Sequence, residues 1–190
     1  MDLVVGITFI GVALVLILLS LLAIISIGFT QLNSSAGITR DGIPLGKAVP
    51  SWTLPDLEGR LHNTPNYTGD HWQFLIFADR ALIAFPSLAT GTNHFVQSVQ
   101  EVEVLIFSRD NRKVCQSTAQ GLGLQAPVIP VDQAFYDRFR VRVMPFAFLL
   151  DPLGTIHWKG LINTEAQLFH TWRMIRATAL EENLVERGIG

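Results

Sequence analysis

The sequence predicts an α/β chain: a mixed sheet flanked by helices, preceded by one N-terminal transmembrane helix. Three observations carry that reading. The runs "WQFLIFA" at 72–78 and "VEVLIFS" at 102–108 are almost continuously apolar, as strands buried on both faces are. Segments with helical apolar spacing follow each of them. Residues 3–29 contain no charged side chain at all, and about 20 apolar residues suffice to cross a bilayer core.

The apolar run at 3–29 is long enough to span a membrane with some tilt. A cleaved signal peptide would need a basic leader and a shorter apolar core, and only Met1 and Asp2 stand before the run. Residues 1–29 are therefore read as a retained transmembrane anchor. Within it Gly6, Ala13 and Ser20 recur every seven residues, with Ala23 beside them. Small residues on one face let helices approach closely in lipid, which makes these four a candidate packing face toward another membrane protein. Ordinary membrane-helix composition, rich in Gly, gives the same pattern. Residues 30–45, with their Gly, Ser and Asn, read as a linker. The folded domain is assigned to 46–185.

Along that domain "SWTLPDLEGRLHNTP" reads as a short hairpin turning at Glu58-Gly59. The strand at 72–78 leads into "ALIAFPSLATGTNHFVQSVQ", a helical stretch that Pro86 should kink. After the strand at 102–108, "RDNRKVCQSTAQGLG" is an amphipathic helix stopped by Gly121 or Gly123. "APVIPVD" is a short extended piece and "QAFYDRFRV" one or two helical turns. "PFAFLLDPLGTIHWKGLI" reads as strand, Asp151–Gly154 turn, strand. In the last helix Leu168, Trp172, Ile175 and Ala179 form one apolar stripe. Strand–helix–strand followed by a hairpin and a closing helix gives a sheet covered on both faces.

Composition narrows the function. The net charge is −2 with 16% charged residues and no basic stripe, so nucleic acid is not an expected partner. A single cysteine, Cys115, permits no internal disulfide. The five histidines, His62, His71, His94, His157 and His170, form no i, i+4 pair, and no ligand motif surrounds them. No metal and no cofactor are expected. There is no G-x-S-x-G elbow for a serine nucleophile. Asp132 and Asp137 read as capping or solvated groups, and Trp158 and Trp172 as core.

Four stretches, in this order and spacing, resemble the membrane-anchored thioredoxin-like redoxins, the TlpA-type proteins and the methylamine utilization protein MauD-like group. They are "GKAVPSWTLPDLEGR", "FLIFADRALIAFPSL", "VEVLIFSRDN…AQGLGLQAPVIPVD" and "VMPFAFLLDPLGTIHWKG". The resemblance covers about residues 46 to 180 and implies a thioredoxin-like fold. It also implies C-x-x-C with a proline five residues after its second cysteine. Counting back from Pro86 gives Ala78-Asp79-Arg80-Ala81. Both sulfurs are replaced by methyl groups. Disulfide exchange needs an attacking thiolate and a resolving thiol, and alanine supplies neither. Asp79 in this reading is an N-cap for the helix that follows, and Arg80 a candidate partner contact. Pro145, after Met144, takes the position of the family's cis-proline.

Cys115 reads as a small, inert core residue. Arg112 and Lys113 nearby would lower its pKa were it exposed. The expectation is a redox-inactive, membrane-anchored accessory or assembly subunit of a membrane complex, with the bilayer and other subunits as partners. Its alternative is a MauD-like thiol–disulfide oxidoreductase or maturation factor using Cys115 with a partner thiol. The resemblance implies a bacterial cytoplasmic membrane with the domain outside the cytoplasm. Arg40 and Lys47, the basic residues after the anchor, pull the other way under the charge rule.

Overall fold

A computed structural model describes residues 40–65, 71–80 and 86–186, with side chains of the final helix described to residue 179. The expected anchor, its packing face Gly6, Ala13, Ser20 and Ala23, and Ala81 lie outside the described residues. No helix among the described residues is long and apolar enough to cross a membrane.

A two-stranded hairpin comes first, β1 (Trp52–Pro55) antiparallel to β2 (Leu61–Thr64). Asp56 shapes its turn: Oδ1 accepts from the Glu58 and Arg60 backbone N–H groups at 2.8 and 2.9 Å. Gly59 takes a φ of +85° there, a conformation that costs glycine little.

Then follow β3 (Trp72–Phe77), α1 (Pro86–Ser98), β4 (Val102–Ser108), α2 (Arg112–Leu122), β5 (Val128–Pro130) and α3 (Gln133–Phe139). β6 (Phe146–Leu150), β7 (Ile156–Leu161) and α4 (Glu165–Glu186) complete the chain. The strand order is β5-β4-β3-β6-β7. β3, β4 and β5 run parallel, while β6 and β7 are antiparallel. The continuous apolar runs thus become the sheet's central strands, with Phe74, Leu75, Ile76 and Phe77 fully buried on both faces.

Alternation sorts these side chains into two cores. Phe74 and Ile76 join Val104, Ile106 and Leu149 under α1, α2 and α4, through Leu88, Phe95, Cys115, Leu168 and Trp172. On the opposite face rings dominate. Phe77 stacks on Phe107 at 5.1 Å, Phe107 on Phe135 at 5.0 Å, and Tyr136 stands edge-on to Phe77 at 4.9 Å. Each such ring contributes about 1.5–3 kcal/mol through burial alone.

Helix ends follow local chemistry. The Asn111 side chain accepts from Val114 N–H to start α2, and Gly123 at φ +59° ends it. Asp132 caps α3 through Phe135 N–H at 2.9 Å, as expected of a capping acid. The described part of α1 begins at Pro86, so the expected kink falls against undescribed residues 81–85. Helices α1 and α4 meet at Gly91, where an added Cβ would lie 2.4 Å from the Cβ of Glu165. Within the stretch read as linker, Gly42 N–H donates to Arg140 O at 2.9 Å, and Lys159 Nζ donates to Asp41 O at 2.7 Å.

Candidate functional site

The carboxyl ends of β3 and β4 meet the turn before β6 at one corner of the sheet. Ala78 continues the line of β3: its N–H donates to Phe107 O at 3.1 Å, and its side chain is wholly buried. The position counted for an attacking sulfur is therefore a fully buried residue one step past the end of β3.

Asp79 then turns the chain at φ +40°. Its carboxylate bonds to the neighbouring strand end, and residues 81–85, which it was expected to cap, lie outside the described residues. Oδ1 accepts from the Arg109 backbone N–H at 2.7 Å, and Oδ2 from Arg109 Nε at 2.8 Å and Nη2 at 2.5 Å. Tyr136 adds its hydroxyl, whose one proton faces Asp79 Oδ1 at 2.7 Å and Phe107 O at 2.9 Å. Such a charge-assisted fork is a strong and directional arrangement. The turn at Asp79 brings its carboxylate to the residue just past β4.

Arg109 is the hub. Besides Asp79 it donates to Gln133 Oε1 at 2.5 Å and to Met144 Sδ at 3.5 Å, and its guanidinium lies 4.4 Å from the Tyr136 ring centre. The hydrogen bond with Asp79 holds its pKa above the ordinary arginine value. Burial, followed by the bond to Asp79, pushes the Tyr136 phenol far up, so it stays protonated. Sequence reading missed Arg109 and Tyr136. The only signal was a charged residue just past a buried strand, and that has meaning only once β3 and β4 are known to be neighbours.

Arg80 points outward, its side chain 70% exposed, with Nε 3.3 Å from Asp110. Pro145 follows a cis peptide bond to Met144, as the resemblance implied. Its carbonyl accepts from Ile162 N–H at 3.3 Å, and the neighbouring Met144 sulfur touches Arg109. Pro145 and Asp79 thus belong to one corner, joined through Arg109.

Cys115 comes closer to that corner than its place in the sequence indicates. With Asp79, Ser108 and Asp110 it lines a cavity of about 10 Å³, no more than one water's worth of space. The thiol is 3% exposed and donates to Asp110 O at 3.2 Å. Burial raises its pKa, a hydrogen bond with Ser108 offsetting part of the effect. A raised thiol pKa disfavours the thiolate that any exchange reaction needs. Among the described residues no cluster of His, Cys, Asp or Glu is arranged to hold a metal ion.

The order β5-β4-β3-β6-β7, the cis-proline before β6 and helices on both faces can be compared with solved structures. The C-terminal domain of a putative thiol-disulfide oxidoreductase from Bacteroides thetaiotaomicron superposes with a TM-score of 0.59 at 14% identity, over 70% of this chain and 97% of its own. The fold is thioredoxin-like. The thioredoxin domain of a thiol-disulfide oxidoreductase from Bacteroides vulgatus matches at 0.57 and 15% identity, over 70% of this chain and 99% of its own. Peroxidoxin BcpB from Mycobacterium tuberculosis matches at 0.58 and 15% identity, over 70% and 96% of the two chains. No family model and no curated protein matches the sequence. On this thioredoxin-like frame the corner of Ala78, Asp79, Arg80 and Pro145 holds an ion pair and a phenol, and the chain's one thiol is shut beneath it.

Proposed function

We propose that this thioredoxin-like domain is redox-inactive and works by binding, as an accessory or assembly subunit of a membrane complex, electron-transfer complexes included. One observation carries the reading: the chain's single sulfhydryl, Cys115, is buried under the corner, while the buried Ala78 stands where an exchange reaction would need a thiolate. Residues 1–29 tether the protein to a bacterial cytoplasmic membrane, with the domain on the extracytoplasmic side. The exposed Arg80 is the contact point offered to the partner, with the half-buried Met144 at the same corner. Mild detergent extraction from native membranes, followed by mass analysis of co-purifying chains, tests this. A defined set of partner subunits supports it, and a solitary protein counts against it.

A second reading is thiol–disulfide exchange or maturation chemistry through Cys115 with a thiol on a partner. It is favoured by the thiol-disulfide oxidoreductases among the structural neighbours and by the cavity that Cys115 shares with Asp79. In insulin reduction the wild type is compared with Cys115→Ser. Activity that vanishes in the variant selects this reading over the first.

A further inference from the structure

Among the described residues, His62 alone has a carboxylate on each ring nitrogen. Nε2 lies 3.1 Å from Asp56 Oδ2 in the hairpin turn, and Nδ1 lies 3.0 Å from Glu103 Oε1 on β4. The side chain is only 12% exposed.

Both acids are committed as acceptors by their other contacts. Asp56 takes the Glu58 and Arg60 backbone N–H groups on Oδ1 and Arg60 Nε on Oδ2. Glu103 Oε2 takes Gln73 Nε2 at 2.8 Å. The orientation of that amide is fixed: its oxygen accepts from the Thr64 hydroxyl at 2.6 Å, and its nitrogen also donates to Asn63 O at 3.0 Å. An acceptor on each side leaves the ring one solution. Both nitrogens must donate, and only the imidazolium does so. Imidazole is a stronger base than a carboxylate, so the shared proton belongs to the ring. The other charges around it offer no substitute. Arg60 and Glu58 pair with each other at 2.6 Å. Arg112, from α2, donates to the carbonyls of Asp56 and Leu57. Strands β1, β3 and β5 bring no charged side chain.

We propose that His62 is a proton-held clip: as an imidazolium it ties the hairpin turn to β4, and the turn loosens when rising pH takes the second proton away. A neutral ring leaves a bare nitrogen facing a carboxylate oxygen, two lone pairs where a charge-assisted bond had been. The proton is bound in the docked state, so its contribution is present at low pH and lost as pH rises. At the far end of β2 the Thr64–Gln73–Asn63 bonds contain no titratable group and persist. The change is therefore a local opening of the turn, not loss of the hairpin. The clip stands whether or not the binding function proposed above is right.

NMR on the full-length, 15N-labelled chain in neutral detergent tests this. The ring nitrogens of His62 report their own protons. The Glu58 and Arg60 amides, both bonded to Asp56 Oδ1, report the turn. At pH 5.5 both ring nitrogens should carry protons, and by pH 8.5 one should be lost. Through the same transition the protection of the two amides, corrected for intrinsic exchange, should fall about tenfold, the loss expected for one hydrogen bond to a charged group. His62→Gln, with one donor and no charge, should show the lower protection at every pH. Glu103→Gln, outside the hairpin, should let the ring lose its proton at lower pH than in the wild type. A ring with one bare nitrogen already at pH 5.5, a ring that keeps both protons to pH 8.5, or amides that ignore the transition would overturn the proposal. So would a Glu103→Gln ring that titrates as the wild type does.

Discussion

Asp79 and Arg109 are locked together through both carboxylate oxygens, Oδ1 on the backbone N–H at 2.7 Å and Oδ2 on the guanidinium at 2.5 and 2.8 Å. The pair is only partly exposed, 15% for Asp79 and 31% for Arg109, so solvent screens it less than a surface bridge. Removing the acceptor with Asp79→Ala should destabilise the fold by about 2 kcal/mol, the range of a hydrogen bond to a charged group. Urea unfolding of the single variants Asp79→Ala and Arg109→Ala and of the double variant measures it. A double variant no worse than either single one is the signature of a shared interaction.

Putting the two sulfurs back should not restore chemistry. In Ala78→Cys/Ala81→Cys the first thiol would sit at a wholly buried position, where desolvation disfavours the thiolate. Insulin reduction by this variant should stay at the wild-type level. Turnover well above it would mean that the corner is a working site lacking only its sulfur.

Cys115 should resist thiol reagents in the folded protein and react at once in denaturant. Its raised pKa adds a pH dependence. The folded state favours the protonated thiol, so that stabilisation is complete below the unfolded pKa and is lost as pH rises through the folded one. Counting Ellman-reactive thiols at pH 8, with and without guanidinium chloride, checks this: none, then one.

Acid should weaken the hairpin. Burial would raise the Asp56 pKa, but bonds from His62, Arg60 and Glu58 bring it down to about 2 from 3.8. A depressed carboxyl stabilises above its unfolded pKa and loses that contribution as pH falls through the folded one. Between pH 4 and pH 2 the wild type should therefore lose about 2 kcal/mol more than Asp56→Asn. Denaturant titrations at the two pH values give the difference.

Gly91→Val should lower the thermal midpoint. A side chain there meets Glu165 backbone at 2.6 Å, and overpacking of this kind costs about 1–3 kcal/mol. Differential scanning calorimetry would show it.

Much of the frame was legible because it rests on local rules. Uninterrupted apolar runs marked β3 and β4, and a glycine free to take positive φ closed α2 at Gly123. Leu168 and Trp172 fell on the buried side of α4 as their spacing required. The corner was less legible because its bonds span the fold: Asp79 and Arg109 are 30 residues apart, and Asp79 and Tyr136 are 57 apart. Nothing in a local window shows that an acid will bond sideways to the end of a neighbouring strand. Nor does counting along a motif reveal that Ala78 is wholly buried.

The ring ladder of Phe77, Phe107, Phe135 and Tyr136 has a further consequence. Cohesion drawn from hydrocarbon does not change with the glutathione poise of its surroundings. This domain asks nothing of oxidative folding catalysts and loses nothing to cellular reductants.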